Sequence, residues 1–393
     1  MRIAELSTRY PPGPGGVERH VQEIGRRFAQ RGHSVGVFTS DLLREFPWER
    51  LPVNVPRTET VDGVEIHRLP VRSLSGELHY PFLRGLGKAV RSWGPDLIHV
   101  HTYGTHQASV ARRVGRATGI PLVLTAHYHP IWSIEGGWLR HRIRGFYDRR
   151  LAGRVLGAYR SIVVQSAEEE RLLRVNGTPM PPVVRIPPGY TPLPPPPPGE
   201  RPFASALGLG RPFALFVGRL ASNKGLPTLL DSFRDLARDD PTASLVLVGA
   251  DGGMRASLEA RARSFGIAPR VHFTGFLADE ALLSAAFQEA RIFLLPSAYE
   301  AFGLVLLEAL AHGTPVIASR VGGIPEFVED GKCGRLVEPS DAAALSRALR
   351  ELWNDADSRQ RFGEFGRTQV APRFTWDRVA DELLELFRSV GAR

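Results

Sequence analysis

The chain has 393 residues, of which 43% are hydrophobic and 23% are charged, with a single cysteine, Cys333. This length predicts two domains of about 100–200 residues each. The composition excludes wholesale disorder. The single cysteine excludes a disulfide scaffold or a cysteine-rich zinc module and favours a reducing compartment. The net charge of +9 is uneven, because residues 1–198 hold 27 Lys and Arg against 16 Asp and Glu, and the remainder holds 23 against 25. The first half therefore has either an anionic partner or an arginine-rich solvated surface.

The N-terminal half alternates short apolar runs with amphipathic stretches. Its start lacks the long apolar core of a signal peptide, and no apolar run approaches the about 18–20 residues of a membrane span, so we predict a cytoplasmic protein. Helices are predicted at 17–31, ending near Gly32, and at 105–118. Strands are predicted at 3–7, 35–39, 64–69, 97–101, 122–126, 162–165 and 183–186.

A proline-rich stretch follows. Residues 178–199 hold eleven of the 32 prolines, which predicts an extended interdomain linker. The alternative is that this stretch binds a proline-reading module of another protein. The pattern then resumes, with strands predicted at 213–217, 245–248, 271–274, 292–295 and 316–318, and helices at 227–238, 254–265, 279–289 and 303–311. Such alternation predicts two doubly wound, Rossmann-like α/β domains with parallel sheets, facing across a cleft, with ligands bound at the carboxyl edges of the strands.

The segment after the strand at 292–295 carries the most informative motif. Glu300 lies at a strand-to-helix turn, and Glu308 lies about two helical turns further on. Carboxylates accept hydrogen bonds from sugar hydroxyls, and a helix start near Gly303 favours an anion. Alternatively, Glu300 caps the helix and Glu308 is solvated, although Glu308 has apolar neighbours. The pattern favours two carboxylates that hold hydroxyl-rich parts of one ligand.

Two cations follow the first strand of the C-terminal half. Arg219 offers a planar fork and Lys224 a compact charge, which together suit a diphosphate. Lysine is scarce here, with only Lys88, Lys224 and Lys332 among 50 basic residues. The alternative is that both are ordinary surface cations beside a turn.

The remaining candidates lie in the N-terminal half. Gly15 and Gly16 precede the first helix and allow a ligand to approach the backbone, but they lack the spacing of a dinucleotide or phosphate loop. His99, His101, His127 and His129 lie at strand ends. No third metal ligand has clear spacing, so we predict no metal site. We expect His127 to form a polar contact in the cleft and His99 to be a buried histidine with its hydrogen bonds satisfied.

Residues 138–154 mix arginine with Trp, Ile, Phe and Leu at helical spacing. A basic amphipathic helix of this kind lies on an anionic membrane in some proteins, which would suit a lipid-linked acceptor. The alternative is an ordinary helix whose apolar stripe packs on the sheet.

Together these residues resemble the retaining GT-B glycosyltransferases of family 4, the glycosyl transferases group 1 kind. The resemblance covers nearly the whole chain, although 187–191 and 249–252 depart from the family's usual motifs. It rests on residues 15–20, 31–35, 95–101, 218–225, 300–308, 313–319, 322–326 and 374–377.

The resemblance implies an N-terminal acceptor domain at 1–186, a linker at 187–200, a nucleotide-sugar domain at 201–375 and a helix at 376–393 that returns to the N-terminal domain. It implies transfer of a hexosyl group from a UDP- or GDP-sugar to a hydroxyl acceptor, with retention of configuration and without a metal or other cofactor. The acceptor is expected to be a sugar or a lipid-linked or cell-surface glycan precursor, which would place the enzyme at the inner face of the plasma membrane.

The resemblance also implies a role for each site residue. Arg219 and Lys224 would neutralise the diphosphate. Glu300 would hold the donor sugar with backbone amides of Phe302, Gly303 and Leu304, and Glu308 would hold the ribose. Gly16 and His127 would contact the donor from the N-terminal domain.

The sequence is also compatible with two other functions. A nucleotide-sugar epimerase could use the same two-domain architecture. A nucleic-acid-binding protein would account for the charge, but its recognisable modules are absent from the sequence and the basic half also carries the cleft motifs, so we predict no nucleic-acid partner.

Overall fold

The computed structural model describes residues 1–45, 48–73, 80–130, 138–174, 179–194, 200–210 and 212–392. The chain forms two compact units, one of Met1–Gly189 with Trp376–Arg393 and the other of Tyr190–Thr375. Most of the proline run in the predicted linker, at 195–199, lies outside the described residues.

The first unit contains an eight-stranded sheet in the order β12-β11-β10-β9-β1-β2-β6-β5. All neighbours are parallel except β5, which is antiparallel to β6. Two short hairpins, β3 with β4 and β7 with β8, stand apart from it. The strands are β1 Arg2–Leu6, β2 Ser34–Ser40, β3 Leu42–Arg44, β4 Glu49–Arg50, β5 Thr58–Val61, β6 Val64–Leu69, β7 Val71–Ser73, β8 Pro81–Leu83, β9 Leu97–His101, β10 Leu122–Thr125, β11 Ser161–Val164 and β12 Val183–Arg185.

Helices cover the first sheet. The buried residues of the first helix, such as Val21, Ile24 and Phe28, recur at helical spacing, so this helix buries one face in a cluster with residues of the strands. The helices are α1 Gly16–Gln30, α2 Leu86–Trp93, α3 His106–Thr118, α4 Trp138–Arg150, α5 Ala152–Leu156 and α6 Ala167–Arg174.

The second unit contains a six-stranded, wholly parallel sheet in the order β15-β14-β13-β16-β17-β18. Its strands are β13 Phe213–Val217, β14 Ser244–Val248, β15 Val271–Gly275, β16 Ile292–Leu295, β17 Val316–Ser319 and β18 Gly334–Val337. The central strands are buried on both faces, which explains their continuous apolar sequences.

Helices and short turns complete the second unit. Its α-helices are α7 Pro202–Ala206, α8 Leu226–Asp239, α9 Arg255–Ser264, α10 Glu280–Glu289, α11 Leu304–Ala311, α12 Ala342–Asn354 and α13 Ala356–Phe365. Its 3-10 turns are Ser222–Lys224, Ala268–Arg270, Ile324–Glu326 and Ala371–Arg373, and a π-helical turn spans Gly366–Val370.

The last helix, α14 at Trp376–Ser389, belongs to the first unit. Trp376 and Phe387 are buried in the same apolar cluster as Phe28 of α1. At the surface, Arg31 Nε lies 2.8 Å from Asp381 Oδ1. The final helix is thus an integral part of the first core.

The predicted α/β class with parallel sheets is confirmed, and the predicted strands and the helices predicted at 17–31, 105–118, 227–238, 254–265, 279–289 and 303–311 are observed to within one or two residues. The stretch 138–154 is divided between α4 and α5, and the helix predicted at 376–393 ends at Ser389. Helix α1 ends at Gln30 before Gly32, as predicted. Six observed strands, β3, β4, β5, β7, β8 and β18, were not predicted. Two of them show the physical reason. Strand β5 is a mostly exposed edge strand without apolar alternation, and β18 contains Gly334 and Arg335. No helix in the described part of the chain is long and apolar enough to cross a membrane.

Candidate active site

Two neighbouring strands of the second sheet, β13 and β16, end close to each other. The loop after β13 contains Arg219 and the turn Ser222–Lys224, and the loop after β16 contains Glu300. The two loops are joined where Ala298 N donates to Asn223 O at 2.9 Å. Parallel topology therefore brings together two motifs that lie about eighty residues apart in the sequence.

Lys224 and Glu300 form an ion pair at this edge. Lys224 Nζ lies 2.6 Å from Glu300 Oε2, with 19% and 17% of the two side chains exposed. Ser297 Oγ also donates to Glu300 Oε2 at 3.4 Å. Because both side chains remain partly accessible, a polar ligand can reach them. Arg219 is exposed on the same loop.

Glycines make this arrangement possible. Gly225 has a positive φ of 64°, and a Cβ there would lie 1.9 Å from Pro296 O. Gly322 has a φ of 55°, and a Cβ there would lie 1.7 Å from Glu300 O. Side chains at these positions would collide with the loop that carries Glu300, so the two glycines allow close backbone packing around the carboxylate.

Helix α11 begins immediately after Gly303, which has a left-handed φ of 88°. The Phe302 side chain is buried and stacks on Phe327 at 5.0 Å, so Phe302 can offer only its backbone to a ligand. Glu308 is half-buried further along the helix, among buried leucine and alanine side chains. Helix α11 thus begins four residues after Glu300, close to the start at residue 303 that the sequence predicts.

Apart from the Lys224–Glu300 pair of the second unit, a group of five polar side chains is buried in the first unit. Glu5, His99 and His101 come from the adjacent strands β1 and β9, His127 follows β10, and His20 comes from α1. His101 Nε2 lies 2.7 Å from Glu5 Oε2, and His99 Nδ1 lies 2.9 Å from the same oxygen. His101 Nδ1 is 3.4 Å from His127 Nε2.

Burial and neighbouring charge shift the pKa values of this group. Burial holds the pKa of His20 and His127 well below the usual value and lowers that of His101 to about 4. Burial alone would raise the pKa of Glu5, but His99 and His101 outweigh it and lower that pKa. At neutral pH the group therefore contains one ionised carboxylate and neutral rings at His20, His101 and His127.

The structure supports one histidine prediction and adds two residues that the sequence did not reveal. His99 is buried, as predicted, and Thr125 Oγ1 lies 2.7 Å from its Nε2, but its Nδ1, 2.9 Å from Glu5 Oε2, forms no hydrogen bond within the described residues. His127 is 8% exposed and has an unusual positive φ of 38°. Glu5 and His20 were missed because their pairing with His101 spans 96 and 81 positions in the chain.

Gly16 is the first residue of α1, and a Cβ there would meet nothing within 4 Å among the described residues. Packing within the described protein therefore does not require glycine at this position. Gly15 differs, because a Cβ there would lie 2.0 Å from Glu18 Oε2.

Helix α4 carries the basic amphipathic sequence. Trp138, Ile143 and Phe146 are 67%, 47% and 55% exposed. The opposite side holds Asp148, which accepts hydrogen bonds from Tyr103 Oη and Arg144 Nε, each at 2.9 Å. The alternative in which the apolar stripe packs on the sheet is therefore wrong for these three side chains.

Comparison with known proteins identifies both halves of the chain. Residues 200–369 match the family described as glycosyl transferases group 1, and residues 15–189 match the glycosyl transferase 4-like domain. A D-inositol 3-phosphate glycosyltransferase from Acidothermus cellulolyticus is 31% identical, covering 95% of this chain and 85% of that protein.

Solved structures share the whole fold. A sucrose-phosphate synthase from Thermosynechococcus elongatus is 26% identical with a TM-score of 0.78, covering 99% of this chain and 98% of the other. An Anabaena protein, HepE, solved in complex with UDP and glucose, is 21% identical with a TM-score of 0.75, covering 99% and 100%.

Proposed function

Because the chain belongs to the group 1 glycosyl transferases and has their GT-B fold, we propose that it moves a hexosyl group from a UDP- or GDP-sugar to a hydroxyl acceptor. Transfer proceeds with retention of configuration and without a catalytic metal. The acceptor hydroxyl attacks on the face from which the diphosphate departs, and the leaving phosphate oxygen takes the acceptor proton.

The Lys224–Glu300 pair is the observation that carries this proposal. It lies at the carboxyl ends of two adjacent parallel strands, where ligands bind in open α/β sheets. It joins a cation suited to a phosphate with a carboxylate suited to sugar hydroxyls. A nucleotide-diphosphate sugar presents both groups a few ångströms apart, so one ligand engages both side chains.

The other donor contacts follow from their positions in the second unit. Arg219 joins Lys224 in neutralising the departing diphosphate, which stabilises the charge that develops as the bond breaks. Backbone amides of Phe302, Gly303 and Leu304 at the start of α11 support the donor beside Glu300. Glu308, half-buried on the same helix, binds the ribose hydroxyls.

The first unit contributes two further proposed donor contacts. Gly16 offers a backbone without steric hindrance at the start of α1, in agreement with the open space around its Cα. His127 hydrogen-bonds a donor-sugar hydroxyl as a neutral imidazole, in agreement with its lowered pKa.

The acceptor is proposed to be a glycan precursor held at an anionic membrane surface. The support is the exposed face of α4, where Trp138 and Phe146 alternate with the exposed arginines Arg142, Arg149 and Arg150. Aromatic side chains enter the interface while arginines bind anionic headgroups. The excess of positive charge in residues 1–198 favours the same partner.

The experiment is a transfer assay with a labelled UDP- or GDP-sugar and a panel of sugar and lipid-linked acceptors, in the presence of EDTA. We expect nucleoside diphosphate release that depends on acceptor, and a product whose anomeric configuration, read by NMR, matches the donor. An inverted product, or epimerised donor formed without any acceptor, would contradict the proposal, and loss of transfer in EDTA would overturn its metal independence.

A further inference from the structure

Three of the buried histidines in the first unit form a compact cluster. His20, His101 and His127 each place a ring nitrogen within 4.8 Å of the others. Their ring centroids are 5.1 to 5.6 Å apart. The three residues come from α1, β9 and the loop after β10, so only tertiary packing brings them together. No local sequence motif predicts this cluster.

The spacing fits a metal ion. A tetrahedral zinc ion with Zn–N bonds of about 2.0–2.1 Å holds its ligand nitrogens about 3.3–3.4 Å apart. His101 Nδ1 and His127 Nε2 are 3.4 Å apart. This distance is long for a hydrogen bond between two neutral rings but is the separation expected of two ligands of one ion.

His20 provides an independent observation. It is 3% exposed, and neither of its ring nitrogens has a hydrogen-bond partner among the described residues. Buried polar atoms are nearly always paired, so two unpaired nitrogens on one buried ring require an explanation. Both other rings of the cluster lie against this imidazole, and a shared ion would satisfy it.

A second layer of residues orients the cluster. Metal-binding histidines usually donate their other ring N–H to a carboxylate, which fixes the tautomer. His101 Nε2 lies 2.7 Å from Glu5 Oε2, which leaves the lone pair of His101 Nδ1 directed at the cluster. Glu5 is itself held by His99, and its negative charge offsets part of the charge of a bound cation.

We propose that His20, His101 and His127 bind one Zn²⁺ ion. Three imidazole ligands suit zinc rather than the oxygen-seeking Mg²⁺ or Ca²⁺. Three protein ligands leave a fourth position for water or a small ligand, and His127, the most exposed of the three, connects the cluster to solvent. The ion would use Nε2 of His127, which lies beside His101 Nδ1, and this leaves Nδ1 of the same ring for the proposed donor-sugar contact. Zinc binding is measured without any activity assay.

The test uses the full chain, stripped of metal and then loaded with Zn²⁺ or with Co²⁺ as a spectroscopic substitute. We expect one equivalent of zinc to remain after desalting, and intense visible absorption of four-coordinate Co²⁺ that zinc abolishes. Glu5→Gln should weaken binding by about 10–100-fold, because it removes the carboxylate behind His101. His20→Gln should lose the tight equivalent.

The matched control is His272→Gln, which removes a half-exposed histidine from β15 in the second unit and should leave binding unchanged. Circular dichroism checks that each variant is folded. If His20→Gln does not fold, because His20 also packs on Trp376, the cobalt spectrum of the unaltered protein decides. A weak six-coordinate spectrum, no retained zinc, or undiminished binding by folded His20→Gln would overturn the proposal.

Discussion

At the scale of single residues, the Lys224–Glu300 pair permits a sharp test of the donor site. We expect Lys224→Ala and Glu300→Gln each to lower kcat by about 10²–10³-fold, the usual cost of removing one group that stabilises developing charge. Because the two side chains touch, the double variant should lose less than the product of the single losses. Steady-state kinetics on all three variants measures both effects.

The control is another lysine–glutamate pair in the same unit. Lys332 Nζ lies 2.8 Å from Glu329 Oε2, with side chains 61% and 37% exposed. Lys332→Ala and Glu329→Gln should leave kcat near that of the unaltered protein. Near-normal rates in the Lys224 and Glu300 variants as well would remove both residues from the site.

Glu169 allows a prediction about pH and stability. Its carboxylate accepts from Tyr128 N at 2.6 Å and from Gln165 N at 2.5 Å, yet burial dominates and raises its pKa from the ordinary 4.5 to about 7. A raised native pKa means that the native state keeps a proton that the unfolded chain has already lost. The stabilisation is complete below pH 4.5 and disappears as pH rises through 7, a change of about 3 kcal/mol.

Glu169→Gln should remove this dependence, since glutamine does not titrate. The free energy of unfolding of the variant relative to the unaltered protein should therefore shift in the variant's favour by about 3 kcal/mol between pH 4.5 and pH 8. Urea unfolding at both pH values measures it. Glu168→Gln is the control, because Arg171 lowers the pKa of Glu168. A Glu169→Gln difference that is the same at both pH values would contradict the assignment.

At this scale the sequence reveals motifs but not their partners. Glu300, Lys224 and Gly303 could be predicted because each lies at a strand end or helix start that the local pattern marks. Their ion pair could not, because it depends on β13 and β16 being neighbours in the sheet. The contacts of Glu5 and His20 with His101 could not be predicted for the same reason, since only folding brings these residues together.

At the scale of elements, α4 is the clearest candidate for a membrane contact. We expect the double variant Trp138→Ser/Phe146→Ser to lose most binding to vesicles with anionic headgroups, because it removes the aromatic side chains that enter the interface. Vesicle co-sedimentation at several salt concentrations measures this, and binding should fall as salt rises.

The control is Phe276→Ser, which removes a similarly exposed aromatic side chain, 76% accessible, from the second unit. It should bind vesicles as the unaltered protein does. Equal binding of the unaltered protein to neutral and anionic vesicles, or no binding to either, would exclude α4 as an anionic-membrane contact.

Strands could be predicted from the sequence where both faces of the sheet are buried. Strands such as β14 and β16 are apolar throughout because both faces are covered, and the sequence locates them correctly. The exposed edge strand β5 and the hairpin strands β3 and β4 lack that pattern, although each pairs with a strand that is close to it in the sequence. Helix α14 was expected only from the family resemblance, and in the structure it shares a buried apolar cluster with α1.

At the scale of the whole molecule, the positive charge and the proposed sites are divided between the two units. The first unit carries the excess of positive charge and the proposed acceptor and zinc sites, and the second carries the Lys224–Glu300 pair. Each unit has its own apolar core. A donor that binds groups of the second unit should therefore stabilise that unit's unfolding transition most strongly.

A thermal-shift panel of nucleotide-diphosphate sugars measures donor binding by the Lys224–Glu300 site directly. A donor at about 100 times its dissociation constant adds about 2.7 kcal/mol of stability, which raises the melting temperature of the unaltered protein. We expect such a rise with at least one UDP- or GDP-sugar, its loss in Lys224→Ala and its persistence in Lys332→Ala. No rise with any nucleotide sugar, or an equal rise in both variants, would contradict donor binding by this site.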